Sequence, residues 1–300
     1  MVDLWLTETH KEAGLTVRVS GTVYSERSAF QQVDVVDTVP YGRMLLLDGR
    51  VMTTEQDEFV YHEMIVHVPM LSFAQPPTRV LVIGGGDGGT VREVLRYPSV
   101  EQVVLCEIDG LVIEACKAHL PDISVALREP LDPRLTVIVG DGIDYIERQH
   151  NAFDLIIIDS TDPMGPGEGL FTETFYRHVH RALTAHGMMT AQTESPVLDK
   201  TEFVNIYRNL LPVFSVVKPY VGSVPTYPSG MWSWAFCSKG ETPLPKAPAQ
   251  TIEAIAAHTR YYTPEVHTAA FALPGFVQAL VAQAAQSSAQ PVVLAAGGAN

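Results

Sequence analysis

The run Val80-Leu81-Val82-Ile83-Gly84-Gly85-Gly86-Asp87-Gly88-Gly89 decides the fold. Four consecutive β-favouring apolar residues read as a strand buried on both faces, the pattern of a parallel sheet covered by helices. Five of the next six residues are glycine, and residues 90–97 then read as a helix. Gly84, Gly86 and Gly89 fit G-x-G-x-x-G, in which glycines permit a tight turn and a close approach of the backbone to a ligand. Alone this pattern is weak, and a purely structural glycine turn is its plain alternative. Context strengthens it: Glu107 ends the next apolar run, 21 residues after Gly86. A carboxylate there can accept hydrogen bonds from both ribose hydroxyls.

Working outward, apolar runs at residues 103–106, 135–139, 155–158 and 188–191 alternate with helical stretches. The reading is α/β: a doubly wound, Rossmann-like, mainly parallel sheet of the methyltransferase-like kind. Upstream the period is different. Residues 16–24 and 32–35 alternate polar and apolar, and Asp48-Gly49 marks a hairpin, so a small antiparallel β domain is expected at the N-terminus. From Asp57 the period turns helical, with Phe59, Val60, Met64, Val68 and Leu71 on one face. The expected division is an N-terminal strand domain with its connecting helix at 1–70, a linker near 72–77, the Rossmann-like domain at 71–285 and a flexible tail at 286–300. No internal repeat is present.

Three hundred residues, 46% hydrophobic and 18% charged, have the composition of an ordinary globular protein. No uncharged apolar run reaches about 18 residues, so no membrane contact is expected. The opening MVDLWLTETHKEAG lacks the basic-then-apolar layout of a signal peptide. Cys106, Cys116 and Cys237 are odd in number and not at metal-ligand spacing, which suits buried thiols in a reducing compartment. A cytoplasmic protein is expected. The formal charge of −14 argues against a nucleic-acid partner and suits a cationic ligand.

Asp87 bears on what the glycine turn holds. A dehydrogenase places a pyrophosphate there, which a carboxylate would repel. An adenosyl sulfonium with a terminal ammonium would be attracted instead. The carboxylate of ordinary S-adenosylmethionine would meet Asp87 as a like charge, and two such charges about 4 Å apart cost several kcal/mol at intermediate dielectric. Asp87 therefore favours a decarboxylated donor, although it could also serve as a helix N-cap. Asp141-Gly142 opens a helix after the 135–139 strand; Asp141 either caps that helix or accepts from an adenine amino group.

Asp159-Ser160-Thr161-Asp162-Pro163 follows the 155–158 strand, at a carboxyl end where ligands of open α/β sheets bind. Two carboxylates three apart could bind a metal, cap a helix, or bind and deprotonate an amine. No compact metal-ligand set such as H-E-x-x-H accompanies them, so no metal is expected. An amine with a pKa near 10 must lose a proton before it attacks. Asp159 could take that proton and Asp162 could hold an ammonium. A sulfonium is already a good leaving group, so the enzyme would act mainly by alignment and needs no cofactor. Met164-Gly165-Pro166-Gly167-Glu168-Gly169 suits a segment closing over the crevice, or an ordinary surface loop. His178 and His180 read as surface residues, Trp232 and Trp234 as core, with Trp232 a possible border of an amine channel. Ser195-Pro196 lacks a nucleophile elbow.

Together VLVIGGGDGGTVREVLRYPSV, EIDGLVI, DPRLTVIVGDG, DSTDPMGPGEGLFTETFY, PTYPSG, DGRVMTTEQDEFVYHEM and RYYTPEVHTAAFALP resemble the spermidine synthase (polyamine aminopropyltransferase) family. The resemblance spans residues 15–280. It implies aminopropyl transfer from decarboxylated S-adenosylmethionine, a co-substrate, to putrescine. It implies Asp159 as proton acceptor and Asp87, His62, Asp162, Tyr61, Tyr227 and Gln192 as residues along the polyamine channel. It further implies that Gln31, Gly84, Gly86, Glu107, Asp141, Gly142 and Pro166 surround the nucleoside, and that the chain forms dimers or tetramers. The rival expectations are an S-adenosylmethionine N-methyltransferase on the same fold, transfer to agmatine or cadaverine, a dehydrogenase, and a silent polyamine-binding protein.

Overall fold

The structure, a computed structural model, describes residues 3–8 and 13–288, without the side chains at 166, 287 and 288. Two sheets organise it. The first is antiparallel, with β1 (Leu4–Thr7), β2 (Thr16–Arg27), β3 (Gln32–Thr38), β4 (Gly42–Leu47) and β5 (Arg50–Thr54) in sequential order. The second has seven strands: β6 (Arg79–Gly84), β7 (Gln102–Glu107), β8 (Leu135–Val139), β9 (Phe153–Asp159), β10 (Leu183–Gln192), β11 (Val216–Ser223) and β12 (Met231–Ser238). Their spatial order is β11-β12-β10-β9-β6-β7-β8. The five strands from β10 to β8 are parallel, and β12 and β11 close the edge antiparallel. This is the expected small antiparallel sheet followed by a mainly parallel Rossmann-like one.

The unbroken apolar runs now have a physical reason. Val80 and Val82 of β6 and Leu155 and Ile157 of β9 enter one hydrophobic cluster. Their neighbours Leu81, Ile83, Ile156 and Ile158 enter another on the opposite face. With helices on both sides no polar residue has a wet face to occupy, and each fully buried side chain contributes roughly 1.5–3 kcal/mol. The last two strands were less legible. β12 contains the strand-like Trp232 and Trp234, whereas β11 carries Lys218 and Pro219, which an edge strand tolerates.

The helices are α1 (Glu58–Ser72), α2 (Gly89–Leu95), α3 (Gly110–His119), α4 (Gly142–Glu147), α5 (Glu173–Ala182), α6 (Lys200–Leu210), α7 (Ala249–Ala256), α8 (Pro264–Ala270) and α9 (Gly275–Ser288). The one-sided face read for α1 is incomplete: every residue from Val60 to Ser72 is buried. The sequence groups α1 with the N-terminal strands, yet its faces meet α2, β9, β10 and β11. Its polar residues are buried with partners. Glu63 accepts 2.8 Å hydrogen bonds from the backbone N–H groups of Arg260, Tyr261 and Tyr262, and His67 bonds Tyr97 and Glu93. His178 and His180, expected on the surface, are half-buried, with His180 packed against Phe214. All three cysteines are buried and free. The tail expected from 286 begins inside α9, and from 289 onward it lies outside the described residues. Among the described residues, no single helix is long and apolar enough to cross a membrane.

Candidate active site

Strand order reverses beside β6: the chain runs outward through β7 and β8, then returns on the other side as β9. Such a switch point leaves a crevice at the carboxyl ends of the two central strands. Gly84 and Asp159 are paired across it. Gly84 has φ +80°, and a Cβ there would collide with the Asp159 carbonyl oxygen, so both conformation and space demand glycine. At Gly86 a Cβ would come within 3.0 Å of the Glu107 side chain. The glycines thus let two carboxylate-bearing strand ends converge on one cleft.

That cleft, about 930 Å³ including its open mouth, is lined by Gln31, Tyr61, His62, Gly84, Gly86, Asp87, Glu107, Asp141, Gly142, Asp159 and Tyr227. It adjoins a second cavity through the shared residues Met52, Tyr61, Ser160, Thr161 and Tyr227. Asp162 and Gln192 line that second cavity, as does Trp232. Pro166 belongs to the 3-10 turn Gly165–Phe171, and its side chain lies outside the described atoms. The other site residues read from the sequence therefore line these two adjoining cavities.

The electrostatics of the cleft split two neighbouring carboxylates. Asp159 accepts from the Tyr61 hydroxyl at 2.8 Å and the Thr90 hydroxyl at 2.6 Å. Burial raises its pKa above the usual carboxylate range, and the charge of Asp87 adds to the rise. For Asp87 burial acts the same way but is outweighed by His62, leaving it lower than usual. His62 Nε2 lies 3.4 Å from Asp87, while its Nδ1 lies 2.5 Å from Glu58. Burial alone would neutralise His62, but Asp87 and Glu58 hold it protonated well above the ordinary imidazole range. Arg92 anchors Glu58 in turn, at 2.8 Å. The two neighbouring carboxylates are thus shifted in opposite directions, Asp87 down and Asp159 up. Asp87 also accepts from the Gly89 N–H at 2.8 Å, so helix-end and cleft-facing roles coexist.

On the other flank, Glu107 accepts from the N–H groups of Asp109 (2.9 Å) and Gly86 (3.1 Å). Burial nevertheless pushes it up to about 7. Asp141 caps α4 through the Ile143 N–H at 2.7 Å while facing the cleft. Gln31 donates to Asp109 at 3.0 Å.

The second cavity is acidic and aromatic. Tyr227 meets Tyr61 and Trp232 edge-on, at ring separations of 5.9 and 4.6 Å. Tyr227 donates to the Met52 carbonyl at 2.6 Å, which ties the channel wall to β5. Thr226, next to it, donates its N–H and hydroxyl to the buried Asp57 at 2.9 and 2.7 Å. Asp162 forms an ion pair with Arg50. Glu8 and Asp199 also line this space. Glu194 sits behind it at φ +66°, a left-handed conformation uncommon for glutamate, and accepts from Gln192 at 3.0 Å. Burial, then the nearby Asp162 charge, holds Glu194 well above the usual carboxylate range. Sequence reasoning missed Glu8, Arg50, Glu58, Thr90, Glu194 and Asp199. Of these only Thr90, directly after the glycine turn, carried a local signal.

The fold and site define a doubly wound α/β enzyme with a split carboxylate pair at its switch point. Comparison with known proteins narrows the class. Residues 4–55 match the family model described as the spermidine synthase tetramerisation domain, and residues 58–246 match the spermine/spermidine synthase domain. The polyamine aminopropyltransferase of Shouchella clausii is 46% identical over 285 residues, covering 93% of this chain and 100% of that protein. That of Desulforudis audaxviator is 47% identical over 276 residues, covering 91% and 98%. The crystal structure of spermidine synthase from Thermotoga maritima superposes with a TM-score of 0.87 at 43% identity, covering 93% of this chain and 94% of that one. A spermidine synthase in complex with the transition state analogue AdoDATO gives 0.89 at 44% identity, covering 93% and 95%. The chain belongs to the spermine/spermidine synthase family and is an aminopropyltransferase.

Proposed function

We propose that this chain is a spermidine synthase, moving the aminopropyl group of decarboxylated S-adenosylmethionine to putrescine. The observation that carries the proposal is the Asp87/Asp159 pair, whose protonation behaviours diverge within one cleft. Asp141, Gly142 and Pro166 would surround the adenine, and Glu107 and Gln31 the ribose region, over the Gly84–Gly86 turn. Asp87, kept charged by His62, would face the sulfonium tail and repel a donor still carrying its carboxylate. The AdoDATO complex of a similar chain fits a ligand of this kind.

The acceptor would run from Asp159 into the second cavity, along Tyr61, Tyr227 and Trp232, whose faces attract ammonium groups. Asp162 and Gln192 would take its far end. Asp159 receives one proton from the attacking ammonium; its raised pKa narrows the gap to an amine of pKa about 10. The freed lone pair forms a bond to the aminopropyl carbon as the carbon–sulfur bond breaks. That electron pair returns to sulfur, giving neutral 5′-methylthioadenosine and spermidine. Alignment does most of the work, and the displacement calls for no metal or redox group. A dimer or tetramer is the assembly proposed, supported by the tetramerisation-domain match.

A mixture of both donors, with and without the carboxylate, is offered with putrescine and the products separated by mass. Spermidine is expected. N-methylputrescine as the main product would instead make the chain an N-methyltransferase. A clear preference for cadaverine or agmatine would keep the chemistry and change the acceptor.

A further inference from the structure

One hydroxyl behind the cleft is aimed at Asp159. Thr90 is the second residue of α2, directly after the glycine turn, and is fully buried. It belongs to the lining of neither cavity. Its hydroxyl donates to Asp159 Oδ2 at 2.6 Å, a short hydrogen bond to a carboxylate. The other oxygen, Oδ1, accepts at 2.8 Å from the hydroxyl of Tyr61, a residue that lines both cavities. The glycine turn closes over the Thr90 side of the carboxylate: a Cβ at Gly85 would lie 2.7 Å from Oδ2. A Cβ at Gly89 would collide with the His62 ring, so the start of α2 is seated against α1. Thr90 is β-branched and has few rotamers open to it, so that helix start carries its hydroxyl rigidly.

A carboxylate with one donor on each oxygen cannot turn about its Cβ–Cγ bond without losing one of them. Each oxygen still keeps a lone pair for an incoming ammonium. Resting on the reading of Asp159 as the base, we propose that Thr90 is a positioning residue: by fixing Oδ2 beneath the glycine turn, it holds Oδ1, beside Tyr61, in line with the attacking nitrogen. The same hydrogen bond favours the charged carboxylate, against the burial and the Asp87 charge that raise the pKa of Asp159. Alignment and basicity are thus set by one hydroxyl and respond to its removal in opposite senses. The other titratable groups around Asp159 are Tyr61 and His62 of α1, Asp87 of the turn, Glu107 at the end of β7, and Tyr227. A change at Thr90 leaves all of them in the sequence.

The test measures single-turnover rates with putrescine across pH for Thr90→Val, Thr90→Ser and Thr90→Ala. Valine keeps the shape and removes the hydroxyl; alanine repeats the removal should the valine variant fold poorly. Rates are taken per site titrated with 5′-methylthioadenosine, so misfolded protein does not enter them. Both removals are expected to lower the rate at the pH optimum about tenfold, the scale of one hydrogen bond to a charged group. Both should also move the acidic limb of the profile to higher pH. Thr90→Ser restores the hydroxyl and should recover most of the rate and the wild-type limb. An unmoved limb in the valine and alanine variants overturns the assignment, because lost packing lowers the rate without touching the titration of Asp159. An unchanged rate overturns it too, as does an equal loss in Thr90→Ser. Asp159→Asn, measured alongside, separates this inference from the reading beneath it. Near-normal turnover there removes the base, and Thr90 with it; a deep loss there with an unmoved limb at Thr90 removes Thr90 alone.

Discussion

The two ends of the channel are built in opposite ways. The glycine-turn end comes from neighbouring strand termini of one sheet, with Gly84 to Asp87, Glu107 and Asp141 lying at or just beyond the ends of β6, β7 and β8. Much of its geometry is backbone, and its side chains are held by local amides, as Glu107 is by Gly86 and Asp109. The other end, proposed above to take the acceptor, is assembled from both sheets and from loops far apart in sequence: Glu8, Arg50, Asp162, Gln192, Asp199, Tyr227 and Trp232. A backbone-built end leaves little freedom for variation without loss of the turn. A side-chain-built end can be retuned one residue at a time, which is where acceptor choice would reside.

The contrast can be broken or sharpened by substitution. The largest effect is expected at the junction. Asp159→Asn should lower turnover by about three orders of magnitude, the range of a lost general base, while 5′-methylthioadenosine still binds. Single-turnover rates and calorimetric binding check the two halves, and near-normal turnover of the folded variant would remove Asp159 as the base. Next comes donor selection. Asp87→Asn should reduce discrimination against ordinary S-adenosylmethionine by about tenfold or more, read by competitive binding.

Glu107 offers a pH signature for the glycine-turn end. Its pKa is raised from 4.5 to about 7, and the ionised form is the better acceptor for hydroxyl donors. Affinity for 5′-methylthioadenosine should therefore fall as pH drops through about 7, and Glu107→Gln should flatten that dependence. The sign for stability is opposite to that of a salt-bridged carboxylate. The raised folded-state pKa means that ionisation costs stability as pH climbs from about 4.5 through 7. Ligand-free Glu107→Gln should be the more stable form at pH 8, by roughly 3 kcal/mol at most, with the difference vanishing near pH 4. Thermal melts across pH check this.

The smallest effect is expected at the loop behind the acceptor end. Thr226→Val removes the hydroxyl donated to Asp57 and keeps the backbone bond. It should cost about 1 kcal/mol of stability and raise the putrescine KM a few-fold, with the donor KM moving less. Equal changes in both KM values would show the two ends to be less separable than their construction implies.

The same contrast governs what the sequence revealed. The glycine turn, Glu107, Asp141 and the Asp159/Asp162 segment were readable because each lies at a fixed offset from an apolar strand. The parallel sheet was readable because burial on both faces leaves unbroken apolar runs. The supports were not readable. In EQDEFVYHEM, Asp57, Glu58 and Glu63 look like solvated helix charges. In the structure Asp57 holds the Thr226 loop, Glu58 holds His62, and Glu63 caps three amides near Tyr261. Arg50 looks like a hairpin surface residue until the two sheets meet. Their partners lie 34 to 199 residues away in most cases, beyond any local period.

The most direct test is a crystal structure with 5′-methylthioadenosine and putrescine bound together. The expected density places the ribose on Glu107, the thioether sulfur beside Asp87, and one putrescine nitrogen within hydrogen-bonding distance of Asp159, the chain extending past Tyr227 toward Asp162. A nucleoside seated away from the β6–β9 crevice, or a diamine with neither nitrogen near Asp159, would contradict it.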